Sequence, residues 1–596
     1  MPRCVLETDT RRSRWITGIL ILLLAVWRLP FLNRGIDYTD TGFSMVNYKN
    51  AVFGQGINGI GVFLTTWLGG VIWKLLPAYH LLVYRALHWL LSLATELAAF
   101  AYFKKYMPRN LLLLGLLIYQ LAEKGGEMIF SYYPLTKLLL MLAIIFLLRG
   151  LTEKKAGLLV VSGILCGVNC YVRLPNVLFC GMVLGIAWYM SARKQPHWLR
   201  ACLLYCLGVF IGLAVLFPLL LHSLGWDKLF ENFYGYIELA IGSTGSAINP
   251  IGITESSGHS MLAVFETLAR QGYRTITVVL LYFVPTYLVS WLLWVVLHRL
   301  VPGCGKEKLQ TILFAVTSVA VTVLLRNRID RVWSYIAVLY ALLLSVGLAW
   351  RVRRQNPEIS TIFFLYVVLG VFCLFGSDLG FQRLMMLAGL VPVVIYLGIE
   401  QLGESEQPLI SVGKLKMSLR FCRRAGYCLM LCGIVVAACF SLRMTYMDAP
   451  FEQLTASVKP EIVQLRGMKT SPKRARQIEE YYDLMQSEEL CGKEVAVFGW
   501  FPLGFAFTDT TNYFETVQPC VDYPSVSVRS LAAEIAKKEA EGSVPVIVVS
   551  HINRLYRNEK TDTGAAKTAV MEYMLLLHDY EIYSDTENFT VYVAEK

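Results

Sequence analysis

Charge is what this sequence has least of. Lys, Arg, Asp and Glu make up only 16% of the 596 residues, where a typical soluble domain carries about 25%. With 56% hydrophobic residues and a mean hydropathy of +0.52, an ordinary water-soluble enzyme and a disordered chain are both excluded. Cys-x-x-Cys is absent despite 14 cysteines, and no two of the eight histidines have the spacing of a metal-binding helix. Cys166, Cys170, Cys180, Cys202 and Cys206 lie inside apolar runs, where cysteine behaves as a small hydrophobe. No basic helix interleaved with aromatics occurs, so the net charge of +12 does not point to nucleic acid. Gly54-Gln55-Gly56-Ile57-Asn58-Gly59 fits G-x-G-x-x-G but follows no strand, so it is a turn and not a dinucleotide fingerprint. No internal repeat is evident.

Long apolar runs take the place of these features. They fall near 15–32, 57–76, 81–103, 111–122, 133–148, 157–172, 176–191, 200–222, 275–297, 309–325, 332–350, 360–376, 384–400 and 425–442. One helical crossing needs about 20 apolar residues, so residues 1–442 read as an all-α polytopic membrane domain. The first run lacks a small-residue cleavage site and is expected to be a retained anchor. Lys/Arg clusters mark cytoplasmic loops. Counting 57–76 as a segment that packs on protein instead of crossing places Lys104, Lys105 and Arg109 inside, with Arg149, Lys154 and Lys155, with Arg193, Lys194 and Arg200, with Arg299, Lys306 and Lys308, with Arg351, Arg353 and Arg354, and with five more between Lys414 and Arg424; the cluster Arg326, Arg328 and Arg331 is the exception and falls on the outer face. About 13 crossings follow, in the cytoplasmic (cell) membrane, with the N-terminus inside. Loops 33–56 and 223–274 and residues 443–596 then share the extracytoplasmic face.

Asp37 and Asp40 stand three apart in the first outer loop. Ionisable groups at a membrane boundary are costly unless solvated or used. At this spacing the two share one face of a helical turn, as a base with its support, or they simply cap a solvated loop.

In its motifs the chain resembles the C-type glycosyltransferase (GT-C) fold, and within it the branch of protein O-mannosyltransferases and aminoarabinose transferases. That family carries an acidic motif after the first span, often Asp-Glu with an aromatic and a glycine. Asp40-Thr41-Gly42-Phe43 falls on it, and Asp37 on an acidic residue upstream. Arg85 opens a later span where relatives often have Arg. Residues 163–176 look like the family's glycine-containing helix ending in Arg173-x-Pro, and Gly376-Ser377-Asp378-Leu379-Gly380 matches a late turn. The oligosaccharyltransferase branch is disfavoured by the absence of W-W-D-x-G from the C-terminal region.

The resemblance implies a transferase that moves a sugar from a polyprenyl-phosphate donor to a glycan, lipid or protein acceptor among membrane lipids. Asp40 is the expected catalytic carboxylate, supported by Asp37. Thr41 stands where many members have Glu, which counts against a divalent metal; no cofactor is required and no metal ligands are assigned. Lipid phosphate needs guanidinium or ammonium donors. Arg326, Arg328 and Arg331, clustered with Asp330, are candidates, as are Arg383, Arg173 and Lys137. The competing reading is a loop salting itself and side chains that snorkel. Glu255 and His259, in the long loop, either contact the acceptor or are bland polar loop residues.

Residues 443–596 read as a small α/β domain. Strands are expected at 494–498 and 545–550, helices at 472–490 and 528–541, and a closing hairpin at the end. Cys491 and Cys520 pair there or remain free thiols, and Asn588-Phe589-Thr590 is a sequon by pattern only. A lipid-linked glycan transporter or flippase, and a polysaccharide polymerase or ligase, are the alternatives of similar bulk. The first would call for broken helices at the membrane midplane and inverted repeats.

Overall fold

A computed structural model describes residues 11–52, 60–122, 128–241, 261–278, 338–375, 380–402, 410–412, 415–417, 445–515, 528–552 and 562–595, with single helical positions between 288 and 320. The helices in chain order are α1 (Arg11–Val26), α2 (Asp40–Val52), α3 (Phe63–Leu75), α4 (His80–Phe103) and α5 (Arg109–Ala122). Next come α6 (Tyr132–Thr152), α7 (Ala156–Val172), α8 (Val183–Ala192), α9 (Trp198–Ile241) and α10 (Met261–Val278). Among the described residues seven helices are long and apolar enough to cross a membrane. Runs 275–297, 309–325 and 425–442, counted among the 13 expected crossings, lie largely outside the described residues.

α3 has 13 residues, a rise of about 20 Å against a hydrocarbon thickness of about 30 Å. Its Thr65 hydroxyl donates to the Val172 carbonyl, 3.3 Å, and its Gly69 carbonyl accepts from the Tyr84 hydroxyl at 2.8 Å. The segment thus packs on protein along its buried face, as its interior glycines suggest.

α7 and α9 cross at paired glycines. A Cβ on Gly163 would stand 2.1 Å from the Tyr205 carbonyl oxygen, and one on Gly208 would stand 2.1 Å from that of Val160. Small residues four apart let two membrane helices approach this closely, and here they fix the helix whose end carries Arg173. Two 3₁₀ segments, Leu174–Met182 and Gly380–Leu390, lead into α8 and the helix Val391–Leu402. Runs of 3₁₀ this long are uncommon. α9 outruns its expected end at 222 and turns at Gly225, whose φ is +73°.

The C-terminal part forms the expected α/β domain. Ahead of it, between the expected crossings 384–400 and 425–442, lies a short antiparallel pair, β1 (Ile410–Val412) with β2 (Leu415–Met417), and within it a second, β3 (Ala456–Ser457) with β4 (Lys469–Thr470). A five-stranded sheet follows: β5 (Glu494–Phe498), β6 (Thr511–Asn512), β7 (Val546–Ser550), β8 (Tyr580–Asp585) and β9 (Phe589–Ala594), in the order β6-β5-β7-β9-β8. β5 is parallel to β6 and β7, and β8–β9 is the closing antiparallel hairpin. Helices Pro472–Met485 and Val528–Ala540 lie near the expected positions. Cys491 is an exposed free thiol, whereas Cys520 lies outside the described residues. The sequon is engaged internally: Asn588 Nδ2 donates to Glu480 Oε2 at 2.7 Å and its Oδ1 accepts from Gln477 at 2.8 Å.

The domain is not an appendage on a tether. Ile36, Tyr38, Tyr48, Trp73 and Tyr84 are buried in one apolar cluster with Leu465, Val495, Phe501, Leu503 and Phe589. Backbone bonds join the same surfaces: Gly35 N–H donates to the Lys469 carbonyl, and Lys469 N–H to that of Asn33, both at 2.7 Å. The loop 33–56 and the C-terminal domain therefore occupy the same end of the helical bundle.

Candidate functional site

α2 begins at Asp40 because Asp37 caps it. Asp37 is buried, and its carboxylate accepts from the Thr41 N–H at 2.8 Å and the Thr39 hydroxyl at 3.1 Å. That leaves Asp37 outside the helix, so the two carboxylates do not share a face of one turn as the spacing suggested. The physical reason is that a short acidic side chain ahead of a helix satisfies orphan N–H groups better than it continues the helix. Asp37 supports Asp40 by fixing where the helix starts. Asp40 sits in the first turn, half-buried, where the helix dipole favours a negative charge.

The position of Asp40 is set from the C-terminal domain. Leu503 N–H donates to the Tyr38 carbonyl at 3.2 Å, and the Tyr38 and Phe501 rings meet edge to face at 4.8 Å. Gly42, in the acidic motif, has a local explanation: a Cβ there would stand 2.5 Å from the Leu503 nitrogen. Lys49, two turns further along α2, donates to the carbonyls of Phe505 and Thr508 at 2.8 and 2.6 Å. Burial lowers its ammonium to about 8, and the nearby Asp509 acts in the opposite direction.

Two of the expected phosphate-binding cations, Arg173 and Arg383, come together at the N-terminal end of α6. Tyr132 and Tyr133 stack with centroids 4.6 Å apart. The Arg383 guanidinium lies over Tyr133 at 4.7 Å and over Tyr132 at 5.6 Å. Arg173 lies over Tyr132 at 5.5 Å. Lys137 follows Tyr133 by one helical turn. The 3₁₀ segment after Arg173 is pinned by Asn176, whose Nδ2 donates to Thr136 Oγ1 at 2.8 Å and Asn169 Oδ1 at 3.1 Å. Each cation thus comes from a different element: the end of α7, the 3₁₀ segment Gly380–Leu390, and α6.

The acidic helix and the cationic platform share one short connection. The Tyr48 hydroxyl of α2 donates to the Phe130 carbonyl, two residues ahead of Tyr132. Arg326, Arg328, Arg331, Glu255 and His259 lie outside the described residues, as do Gly376 to Leu379. Among the described residues no group of three or more His, Cys, Asp or Glu side chains could hold a metal ion.

Sequence reasoning missed two features. Asp448 is buried where it accepts from Ile36 N–H at 3.0 Å and Ser471 at 2.8 Å and pairs with Arg474 at 3.3 Å. Glu96 lines a cavity in the helical bundle together with Lys137. Glu96 had a readable signal, because His80, Arg85, His88, Ser92 and Glu96 recur every three to five residues on a largely apolar helix.

No family model and no curated protein sequence matches the chain. Among solved structures it is similar to the Archaeoglobus fulgidus oligosaccharyltransferase in complex with Zn and sulfate: 12% identity, TM-score 0.43, 90% of this chain and 68% of that one covered. The same enzyme tethered to an acceptor peptide gives 12% identity and a TM-score of 0.43, with 99% and 74% covered. ArnT from Cupriavidus metallidurans in the apo state gives 12% and 0.38, with 98% of both chains covered. All three are membrane glycosyltransferases of the GT-C type. At this identity and these TM-scores the similarity carries no argument for the chemistry or for one branch over another.

Proposed function

We propose that this protein transfers a sugar from a polyprenyl-phosphate donor to an acceptor hydroxyl on the extracytoplasmic face of the cytoplasmic membrane. The observation that carries the reading is the convergence of Arg173 and Arg383 on the stacked Tyr132–Tyr133 pair, with Lys137 one turn along the same helix, joined through Phe130 and Tyr48 to the helix that begins with Asp40. Cations drawn from three elements suit a phosphate whose charge grows as the bond to the sugar breaks. A half-buried carboxylate on the same outer end suits removal of the acceptor's proton. In this mechanism Asp40 takes that proton as the hydroxyl oxygen attacks the anomeric carbon, and the guanidinium groups hold the departing lipid phosphate. Glu255 and His259 would help hold the acceptor, and Arg326, Arg328 and Arg331 would add to the phosphate contacts.

The test is transfer of radiolabelled sugar from a polyprenyl-phosphate donor in membranes. Asp40→Asn, which keeps size and loses basicity, should lower kcat by about 10² to 10⁴ with the donor KM little changed. Full activity in that variant would remove Asp40 from the mechanism. Reporter fusions that place residue 500 in the cytosol would overturn the orientation and the reaction with it.

A further inference from the structure

One face of α4 is polar for most of its length. His80, Arg85, His88, Ser92 and Glu96 all have at most 9% of their surface exposed, and their spacing aligns them along one side of the helix. The outer members are bonded to backbone carbonyls: His80 to Trp73 at 3.3 Å, Arg85 to Gly35 at 2.6 Å and Arg34 at 2.8 Å, and His88 to Ile129 at 3.1 Å. Ser92 accepts from Arg28 at 3.3 Å. Glu96, at the inner end, differs from the others. With Thr95, Tyr119 and Lys137 it lines a cavity of about 20 Å³, room for about one water molecule. Met385 to Leu390, the far end of the 3₁₀ segment that carries Arg383, close the same cavity.

We infer that Glu96 is a positioning residue for the cationic platform: its carboxylate, sharing the cavity with Lys137, holds that ammonium one turn from Tyr133. The inference rests on the sugar-transfer reading and adds to it a residue that does not touch the phosphate. Positive groups within a membrane domain repel one another, by about 2 kcal/mol per pair at 8 Å and an effective dielectric of 20. Each also loses hydration. A carboxylate inside the group offsets both costs for the cation next to it. Without that counter-charge the ammonium turns away from the platform and the donor phosphate loses one of its contacts.

The test uses the full chain in detergent, with undecaprenyl phosphate as the binding probe and sugar transfer as the kinetic readout. Glu96→Gln should raise the donor KM about tenfold with kcat changed less than about threefold, and should shrink the thermal shift given by undecaprenyl phosphate. Glu96→Asp, which keeps the charge, should recover most of the loss. Lys137→Met should raise KM as Glu96→Gln does, and the double variant should be no worse than either, because the two act as a unit. The double variant also serves where Glu96→Gln does not fold, since removing both members of a buried pair is far less costly than removing one. Additive losses, an aspartate as impaired as the glutamine, or wild-type probe binding in Glu96→Gln would each overturn the inference alone. A wild type that neither transfers sugar nor is stabilised by undecaprenyl phosphate would instead remove the transferase reading, and this inference with it.

Discussion

Arg85 and Arg383 are both nearly inaccessible, with 1% and 6% of their surfaces exposed, yet their surroundings differ in kind. Arg85 lies over the Tyr446 ring at 3.7 Å and donates to the carbonyls of Leu32, Arg34 and Gly35. It pins the chain that leads into the acidic loop. Arg383 lies against the faces of two tyrosines and donates to the Tyr132 hydroxyl at 3.4 Å. Tyrosine faces orient a guanidinium without occupying all its donors, whereas carbonyls at hydrogen-bond distance occupy them. At the seam between the 33–56 loop and the C-terminal domain the guanidinium is held chiefly by carbonyls. On α6 it is held chiefly by aromatic faces.

Replacing each arginine by methionine separates the two uses, and the seam should show the largest effect. Arg85→Met leaves three carbonyls without their charged donor, a loss of about 3–5 kcal/mol. It should lower the unfolding midpoint in detergent and open the loop near residue 35 to protease. Arg383→Met should leave the midpoint close to wild type while sugar transfer falls by about 10² to 10³. If Arg383→Met unfolds as readily as Arg85→Met, the platform is a second seam and the contrast fails.

Gly42 sharpens the comparison from the seam's side. Gly42→Ala puts a methyl 2.5 Å from the Leu503 nitrogen and 2.7 Å from its Cα, backbone atoms that move only with the whole 500–503 loop. A cost of about 1–3 kcal/mol is expected, together with lost transfer, because the same loop holds Tyr38 ahead of Asp40. Transfer retained beside a lowered midpoint would show that the seam does not set the position of Asp40.

Gly42 also marks how far the sequence could be read. Asp40-Thr41-Gly42-Phe43 was visible as a motif, but what Gly42 faces lies more than 400 residues away in the chain. The same distance hid Asp448, whose carboxylate meets Ile36 N–H. Local patterns carried well: β5, β7, the closing hairpin and the C-terminal helices lie near where alternation and helical period placed them. Arg173, Arg383 and Lys137 were legible as cations at helix ends, but the meeting of the two arginines on one tyrosine pair was not, because it depends on how α6, α7 and a 3₁₀ segment pack. Asp37 was misjudged as a partner on the helix because spacing alone does not tell a cap from a first turn.

The smallest expected effect concerns Lys49, which closes the seam against Phe505 and Thr508. Below pH 8 its amine is charged in folded and unfolded chains alike, so it adds no pH dependence there. Between about 8 and the ordinary 10.5 the folded chain has released the proton that the unfolded chain still holds. Stability must rise with pH wherever the unfolded state binds more protons. The burial cost of the charge is relieved across that window, while the neutral amine keeps two N–H donors for the two carbonyls. A gain of about 2 kcal/mol between pH 8 and 10 is expected for the wild type relative to Lys49→Met, read as the difference between their unfolding midpoints. A difference that stays flat, or falls, would mean that this amine remains hydrated and that the seam is open to water at α2. The contrast between a dry seam and a ligand-ready platform would then hold only for Arg85 and its carbonyls.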